Sequence, residues 1–369
     1  MPYQPSQVKT IGILTSGGDC PGLNAAIRGV AKAARDAFGA EVIGVLNGFT
    51  GLIENRIVHM SDRDLIGLLT SGGTVLGTSR IKPNKYPAQN GTFRDMTGAC
   101  VETYRRLGID CLVCIGGGGT QKNALHLKQA GLNIVTLPKT IDNDVAETDV
   151  TFGYDSAMTI ATEAIDRLHT TASSHHRIML VDIMGNNAGW LALGASLAGG
   201  ADVCLIPEIP FHIDSIVAAL EHRRSRGRRF SLVSVAEGAI TLDSVGKKKQ
   251  KIHTKKVSKS LAHEEGRHLA SRELAVMLED RLEMETRITT LGYIQRGGIP
   301  TPTDRILATQ LGVKAARLMA DGTFGVMIGV KGDHLEPVAL EQVAGKKKTI
   351  PLDHAMIQTA RLIGLNLGD

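Results

Sequence analysis

The sequence predicts an α/β fold made of two doubly wound βαβ-type domains. Strand-like and helix-like runs alternate along the chain, and such alternation indicates sheets with helices on both faces, joined by right-handed crossovers. Glycine-rich turns join several of the strands to the helices that follow them. The length of 369 residues is enough for two domains of ordinary size.

The first half opens with a strand, a glycine turn and a helix, predicted over Val8–Thr15 and Asn24–Phe38. Further strands are predicted at Glu41–Val45, Asp110–Ile115 and Asn133–Leu137, with a helix from about Gln121 to Gln129 between the last two. The apolar runs are short and are bounded by turn residues, which is typical of strands buried on both faces.

The second half repeats the alternation. Its predicted strands are Arg177–Met184, Val203–Ile206, Phe230–Ala236, Arg287–Ile294 and Gly325–Val330, and its predicted helices are Ala188–Leu197, Ile213–Arg224, His263–Leu282 and Thr303–Met319. The chain is expected to cross first between domains near Asp155–Thr159. Residues 241–259 are polar and Lys-rich, which predicts an exposed or mobile basic insertion.

Composition predicts a cytoplasmic protein. No apolar run approaches the roughly 20 residues that span a bilayer, and the N-terminal residues lack the apolar core of a signal peptide. The five cysteines are an odd number, and three of them lie in apolar stretches, which favours a reducing compartment. Cys111 and Cys114 have the spacing of a metal or redox pair. They lie in a predicted strand, however, where residues three apart face opposite ways, so a functional pair is not expected.

The net charge of +5 is small, and its basic residues concentrate in three runs: Lys247–Lys256, Arg223–Arg229 and Lys346–Lys348. Nucleic-acid binding is not expected, because aromatic residues are not interleaved with the basic ones. Solvated loops, or a site for a small anion at the Arg run, account better for this pattern.

The most informative segment is Leu137–Asp144, which follows an apolar strand. Asp142 and Asp144 stand at the carboxyl end of that strand, where open α/β sheets bind their ligands, and Lys139 and Thr140 stand beside them. Phosphoryl transfer needs a carboxylate that accepts the proton of the attacking hydroxyl, a second one for magnesium, and donors for phosphate oxygens. The alternative from the residues alone is an Asx-rich turn that caps the next helix.

Three glycine-rich stretches have the composition of anion-binding loops: Thr15–Asn24, Gly72–Arg80 and Ile115–Gln121. Glycines let backbone N–H groups close on an anion, and a helix N-terminus adds partial positive charge. Neither the Rossmann fingerprint nor a Walker A loop is present. Tight structural turns, or an exposed basic loop for the stretch that ends at Arg80, remain open alternatives.

The second half carries further anion-binding and turn residues. Arg177, Arg287 and Arg296 lie at the ends of predicted strands, and the turns Met184–Gly189 and Glu237-Gly238 follow two others. Guanidinium groups suit phosphate, and a carboxylate suits sugar hydroxyls.

Taken in order, these motifs resemble those of the 6-phosphofructokinase family, of the phosphofructokinase A type. The resemblance rests on the first glycine turn, Gly72–Arg80, Pro138–Asp144, Met184–Gly189, Glu237-Gly238 and Arg287–Gly298, and it covers nearly the whole chain. Gly116–Gly119 and the closing segment 345–354 are most similar to cyanobacterial, ATP-dependent members. The resemblance implies an active site in the cleft between two domains, with residues 1–153 plus 295–345 for the phosphoryl donor and 154–294 plus 346–369 for fructose 6-phosphate.

The implied reaction is glycolytic: transfer of the γ-phosphoryl group of ATP, with Mg2+, to the 1-hydroxyl of fructose 6-phosphate. Asp142 would be the general base, Asp144 would help to position magnesium, and Thr140 would contact the sugar or the transferring group. Arg80 would neutralise charge on the donor, and Gly18 would offer backbone N–H groups to it.

The resemblance implies two larger residue sets. The donor site would comprise Gly17, Gly18, Arg80, Ile81, Lys85, Gly116, Gly117, Gly118, Gly119, Thr120 and Lys139. The fructose 6-phosphate site would comprise Thr140, Asp142, Asp144, Arg177, Met184, Gly185, Asn186, Glu237, Arg287, Tyr293 and Arg296. Family members supply the equivalents of Arg177 and Arg287 from a neighbouring subunit, which implies a homotetramer.

An effector site is implied as well. Arg28, Arg56, His169, Asp202, Arg226 and Arg228 match the family pocket that binds ADP or phosphoenolpyruvate. His169 stands where an Arg is common, so its charge would change near neutral pH. A solvated helix end is the alternative for Arg226 and Arg228.

The chain departs from the family pattern at three positions. Gly118 replaces an Asp that is usually linked to magnesium, Asn186 replaces a common Arg, and Tyr293 replaces a common His.

Gly119 and Lys139 indicate whether ATP or pyrophosphate is the phosphoryl donor. Pyrophosphate-using relatives carry Asp and Lys there, whereas bacterial ATP enzymes usually carry Gly at both. Gly119 leaves room for the α-phosphate of a nucleotide, which favours ATP. The alternatives are a pyrophosphate-dependent fructose 6-phosphate 1-phosphotransferase, an NAD or lipid kinase with a related glycine turn, and a non-catalytic regulatory subunit.

Overall fold

A computed structural model describes residues 8–88, 91–244 and 269–369. The chain forms two compact units, Met1–Ser156 with Arg296–Lys348, and Ala157–Gln295 with Thr349–Asp369. Most of the predicted basic insertion at 241–259, from residue 245 onward, lies outside the described residues.

The first unit contains a seven-stranded sheet in the spatial order β13-β12-β7-β6-β1-β2-β3. Its strands are β1 (Thr10–Ser16), β2 (Glu41–Val45), β3 (Ile57–His59), β6 (Cys111–Gly116), β7 (Ile134–Pro138), β12 (Val326–Lys331) and β13 (His334–Ala339). Only the edge strands β3 and β13 pair antiparallel among these seven. A separate small hairpin is formed by β4 (Tyr86–Pro87) and β5 (Phe93–Arg94).

Helices cover both faces of this sheet: α1 (Leu23–Lys32), α2 (Phe49–Glu54), α3 (Thr97–Arg106), α4 (Gly118–Gln129), α9 (Pro302–Ala320) and α10 (Leu340–Val343). Helix α1 packs closely on α9, because a Cβ on Gly29 would lie 2.8 Å from the carbonyl oxygen of Thr309 and one on Gly312 would lie 2.7 Å from the amide nitrogen of Val30.

The second unit contains a four-stranded parallel sheet in the order β11-β8-β10-β9. Its strands are β8 (Ile178–Ile183), β9 (Val203–Leu205), β10 (Ser231–Ala236) and β11 (Thr286–Thr290), and its helices are α5 (Tyr154–His175, which begins in the first unit), α6 (Trp190–Gly199), α7 (Ile213–Ser225), α8 (Leu269–Leu282) and α11 (Ala355–Leu362). The core side chains of β8, β9 and β10 pack against α7 and α8.

The fold class is confirmed, and several predicted boundaries are corrected. The strand predicted at Arg287–Ile294 ends at Thr290, because Gly292 takes a φ of 49° and a 3-10 turn over Gly292–Arg296 follows. The helix predicted over Asn24–Phe38 is α-helical only to Lys32 and continues as a π-helical turn over Ala33–Ala37. The helix predicted from His263 is described from Leu269.

No helix among the described residues is long and apolar enough to cross a membrane.

Candidate active site

The carboxyl ends of β1, β6 and β7 lie side by side at one edge of the first sheet. Parallel pairing places Ser16 opposite Gly116, and Gly116 opposite Pro138. The turn after β1, the start of α4 and the Lys139–Asp144 loop therefore leave the sheet at neighbouring positions, where doubly wound sheets bind their ligands.

The turn after β1 is hydrogen-bonded to the glycine-rich stretch Gly72–Arg80. The Gly17 amide donates to the carbonyl oxygen of Ser79 at 2.9 Å, and the Thr78 hydroxyl donates to the Gly17 carbonyl at 2.7 Å. Buried Asn24 donates to the Gly72 carbonyl at 3.0 Å and accepts from the Val75 amide at 2.8 Å. The two glycine-rich stretches thus form one connected structure, which the sequence suggested only as separate motifs.

The four glycines at the start of α4 have different roles. A Cβ on Gly116 would lie 2.1 Å from the Thr120 hydroxyl oxygen, whereas a Cβ on Gly118 or Gly119 would meet nothing within 4 Å. Packing therefore requires Gly116 and leaves open space above Gly118 and Gly119. Since each helical glycine costs about 1 kcal/mol relative to alanine, two glycines with no packing reason are consistent with space kept for a ligand.

The Lys139–Asp144 loop carries the two carboxylates, Asp142 and Asp144. The Asp142 amide donates to the Thr140 hydroxyl at 3.1 Å, and Asn143 adopts a left-handed φ of 51° between the two carboxylates. Asp142 and Asp144 are half-buried. Burial raises the pKa of Asp144, and the charges of Lys347 and Lys139 oppose that rise.

Lys139 is buried, and its ammonium group donates to the carbonyl oxygen of Gly18. Burial lowers the pKa of Lys139, and nearby Arg296 lowers it further, while Cys20, Asp19 and Asp142 act in the opposite direction. The predicted donor residue is therefore engaged with the backbone of the first turn.

Arg296 also lies at this turn. Its Nη1 donates to the Asp19 carbonyl at 3.0 Å, and a Cβ on Gly18 would lie 2.3 Å from that nitrogen. A side chain at position 18 would therefore displace the guanidinium of Arg296. The structure thus brings Arg296 together with the turn after β1 in the first unit. In the same unit Arg80 and Lys85 are exposed, and Ile81 packs on the core.

A second cluster lies at the carboxyl ends of β8 and β10. The Glu237 amide donates to the Ile183 carbonyl at 2.9 Å, and the Gly238 amide donates to the Gly185 carbonyl at 3.0 Å, so the Met184–Gly189 turn and Glu237 adjoin. Gly185 has a φ of 135°, which only glycine adopts readily. The predicted sugar residues Met184, Gly185, Asn186 and Glu237 are therefore together.

Glu208, which was not predicted from the sequence, orders this turn. Its carboxylate accepts from the Gly189 amide, with both oxygens at 3.1 Å, and from the Ile350 amide at 3.0 Å. No local motif marks this residue, because its partners lie 19 and 142 positions away along the chain.

Arg177 and Arg287 lie at the amino ends of the strands of the second sheet, whereas Met184 and Glu237 lie at the carboxyl ends. Arg177 precedes β8, and Arg287 is the second residue of the parallel neighbour β11. Both guanidinium groups donate to the carboxylate of Glu285, and this pairing lowers its pKa. Within one chain these two arginines are thus separated from the sugar cluster by the length of the strands, and Tyr293 is exposed after β11.

Part of the predicted effector set is also brought together. Asp202 accepts from the Leu232 amide at 2.9 Å and pairs with Arg223 at 2.8 Å, and His169 and Arg228 are close enough to affect its titration. Burial raises the pKa of Asp202, against these neighbours. From the sequence, Arg223 was indicated only as the first residue of the basic run Arg223–Arg229.

One of the other predicted effector residues is exposed, and two belong to the first unit. Arg226 is exposed. Arg28 and Arg56 belong to the first unit, where Arg56 pairs with Glu54 at 2.9 Å. His169 donates its Nε2–H to the Gly199 carbonyl at 2.7 Å.

The carboxylates of this site suit a metal ion that is coordinated mainly by the phosphates of a substrate. Across the described ranges, no group of three or more His, Cys, Asp and Glu side chains is arranged to hold a metal ion. Mg2+ is commonly bound through one or two carboxylates, with the substrate phosphates and water completing its shell. Asp144, half-buried in the same loop as Asp142, fits that arrangement.

Comparisons with known proteins identify relatives over nearly the full length. A family model described as "Phosphofructokinase" matches residues 10–319. The "ATP-dependent 6-phosphofructokinase" of Propionibacterium freudenreichii is 50% identical over 97% of this chain and 99% of that protein, and "ATP-dependent 6-phosphofructokinase 1" of Synechocystis is 41% identical over 98% and 99%. The crystal structure of Pichia pastoris phosphofructokinase in the T-state has a TM-score of 0.76 and 31% identity, covering 92% of this chain and 36% of that chain.

Proposed function

This chain belongs to the phosphofructokinase family, and on that basis we propose that it transfers the γ-phosphoryl group of ATP to the 1-hydroxyl of fructose 6-phosphate. The products are fructose 1,6-bisphosphate and ADP. The observation that carries the proposal is the edge where β1, β6 and β7 end, because it combines two glycine-rich turns, an open space and an Asp142–Asp144 loop.

Asp142 is proposed to accept the proton of the sugar 1-hydroxyl. Asp142 is half-buried, and its amide is held by the Thr140 hydroxyl, which fixes the backbone that carries the carboxylate. The Thr140 hydroxyl is proposed to contact the transferring group. General base catalysis of this kind contributes about 10²- to 10⁴-fold.

The donor triphosphate is proposed to lie between the Gly17–Gly18 turn and the start of α4. Backbone N–H groups and a helix N-terminus there favour anions. Arg80 and Lys85 are exposed beside this space and would neutralise phosphate charge, and Gly119 leaves room for the α-phosphate. Mg2+, when bound, would screen the phosphate charge, and Asp144 is the carboxylate proposed to help hold it.

The sugar phosphate is proposed to bind the Met184–Gly189 turn and Glu237. Arg177 and Arg287 lie at the amino ends of the strands of the second sheet. We propose that they bind the 6-phosphate of the sugar held by a neighbouring subunit. Their position in the chain supports this, since the strands of one sheet separate them from Glu237. A homotetramer is the proposed assembly.

The cluster around Asp202 is proposed to be part of an effector site for ADP or phosphoenolpyruvate. Arg223, Arg228 and His169 supply positive or ionisable groups near its carboxylate. An anionic effector would bind to these groups, and its binding would alter the charge balance around Asp202.

The test is a turnover assay with Mg-ATP and fructose 6-phosphate, run on the native chain, Asp142→Ser and the control Asp321→Ser. Asp321 is exposed at the end of α9. We expect native turnover with equal amounts of both products, a loss of about 10³-fold in Asp142→Ser, and no loss in the control. Calorimetry should show fructose 6-phosphate binding retained by Asp142→Ser. An inactive native protein contradicts the proposal, and near-normal turnover of Asp142→Ser removes Asp142 from the base role.

A further inference from the structure

The side chain of Lys348 is bound by the loop that carries the two carboxylates. Its Nζ donates to the Asn143 Oδ1 at 2.9 Å, to the Thr148 carbonyl at 2.9 Å and to the Asp149 carbonyl at 2.7 Å. An ammonium group has three N–H donors, so each of them has an oxygen acceptor within residues 143–149, at the end of the Lys139–Asp144 loop and just after it. Hydrogen bonds from a charged donor are shorter and stronger than neutral ones.

Asn143 is the residue through which this contact reaches Asp142 and Asp144. It lies between them, and its φ of 51° places it in a conformation that costs energy for any residue other than glycine, although Asn tolerates it better than most. The Asn143 Oδ1 also accepts from the Thr151 amide at 3.0 Å. The side chain of Asn143 thus holds an unfavourable backbone conformation in place, and Lys348 holds that side chain.

The backbone around Lys348 adds a second connection to the same loop. The Lys348 amide donates to the Asp144 carbonyl at 3.0 Å, and Lys347 forms an antiparallel bridge with Val145. Lys348 is also the last residue of the first unit before the chain passes to the second. The segment therefore has a fixed register on the loop, and the Lys348 side chain is aimed at Asn143 as a result.

We propose that Lys348 is a positioning residue for phosphoryl transfer, which acts through Asn143 to hold Asp142 and Asp144 in their working geometry. The proposal rests on the proposed function of that loop. A displacement of about 1 Å at reacting groups can cost roughly 100-fold in rate, whereas substrate contacts made by other elements are not changed. The expected effect is thus on kcat and not on KM.

The variants are Lys348→Met, Lys348→Gln, Asn143→Ala, the double variant Lys348→Met/Asn143→Ala and the control Lys346→Met. Met keeps the length of the side chain but has no donor, and Gln keeps a neutral donor group. Lys346 is an exposed lysine of the same run, so its loss changes the net charge by the same amount. Assays are run near pH 7, because burial lowers the pKa of Lys348 to about 8, and well below each variant's melting temperature.

We expect kcat of Lys348→Met to fall about 30- to 100-fold, with the KM values for fructose 6-phosphate and ATP within about threefold of native. Lys348→Gln should fall less. The double variant should lose little more than the worse single variant, because residues that act as a unit are not additive. Lys346→Met should match the native protein.

An inactive native protein would count against the proposed function and not against Lys348 in particular. With an active native protein, a normal kcat in folded Lys348→Met overturns the inference, as does a loss shared equally by Lys346→Met. Multiplicative losses in the double variant show that Lys348 does not act through Asn143 and overturn it too. If Lys348→Met does not fold, the kcat and KM of Lys348→Gln decide by the same criteria.

Discussion

The ammonium group of Lys139 donates to the carbonyl oxygen of Gly18, so the loop after β7 is fastened to the turn after β1. These two segments lie 121 positions apart in the chain, and both border the space proposed for the donor phosphates. Lys139 is buried, and its charge is engaged with the backbone. A lysine bound in this way orders the turn after β1 and leaves the open space above Gly119 to the ligand.

Replacing Lys139 by Met should raise KM for ATP by about tenfold and leave KM for fructose 6-phosphate nearly unchanged. The Gly18 turn loses its fastening, but Met fills a similar volume and removes a buried charge, so the melting temperature should change little. Steady-state kinetics and thermal unfolding measure both effects. Lys32→Met, at an exposed i,i+4 ion pair, is the control. An unchanged KM for ATP would mean that the Lys139–Gly18 contact has no role in donor binding.

Gly119→Asp should weaken ATP binding by at least 30-fold, because the new carboxylate enters the space proposed for the α-phosphate and repels it. Gly118→Asp is the matched variant, with the same charge one residue earlier. It should bind ATP normally and reach half-maximal rate at a lower Mg2+ concentration. Both glycines have open space for a Cβ, and acidic residues suit the first turn of a helix, so both variants should fold. Equal effects of the two substitutions on ATP binding would contradict the proposed location of the donor.

Mixing two inactive variants should restore activity if Arg177 serves a neighbouring subunit. In Asp142→Ser the base is missing, and in Arg177→Ala the 6-phosphate site is weakened. Hybrids assembled after mild dissociation contain some sites with a native Asp142 from one chain and a native Arg177 from the other. In an equal mixture about half of the sites contain a native Asp142, and about half of those also receive a native Arg177 from the neighbouring chain. We therefore expect up to about a quarter of native activity. No recovery in hybrids proven by mass would contradict donation between subunits.

Alkaline pH should destabilise the protein through its buried thiols. All five cysteines are buried, and burial raises the pKa of Cys20 and Cys204 to about 12. Unfolded thiols ionise near pH 8.5, so above that pH the native state holds protons that the unfolded state has lost. The stability that each thiol contributes is complete below about pH 8.5 and is lost as the pH rises toward 12.

Urea unfolding between about pH 8.5 and pH 10.5 measures this dependence. The fall in unfolding free energy should be shallower in Cys204→Ala by up to about 1.4 kcal/mol per pH unit. An identical slope in the variant and the native protein would show that Cys204 does not contribute. Thiol reagents at about pH 8 should label the native protein slowly and all five cysteines after unfolding.

The sequence predicted the strands near the site well because their apolar runs are short and flanked by glycine. β6 and β7, for example, lie within one residue of their predicted bounds. It missed α5, the 22-residue helix Tyr154–His175, because its Ser and Thr residues are poor helix formers. The helical spacing of its buried residues Ala157, Ala161 and Ile165 is a signal that could have identified it.

Contacts between distant residues explain what the sequence could not supply at the site. Lys139 was recognisable as a residue near the donor, but its bond to Gly18 depends on β1 and β7 lying on either side of β6. Glu285 was not recognised, because its pairing with Arg177 requires β8 and β11 to be neighbours. Lys348 was visible only as part of a Lys run, and its contact with Asn143 spans 205 positions.

The most direct test of the central claim is fructose 1,6-bisphosphate formation from fructose 6-phosphate and Mg2+, with ATP in one reaction and pyrophosphate in another. We predict turnover with ATP and none with pyrophosphate, because the space above Gly119 is open and Lys139 is bound to Gly18. Turnover with pyrophosphate alone would contradict this account of the donor site.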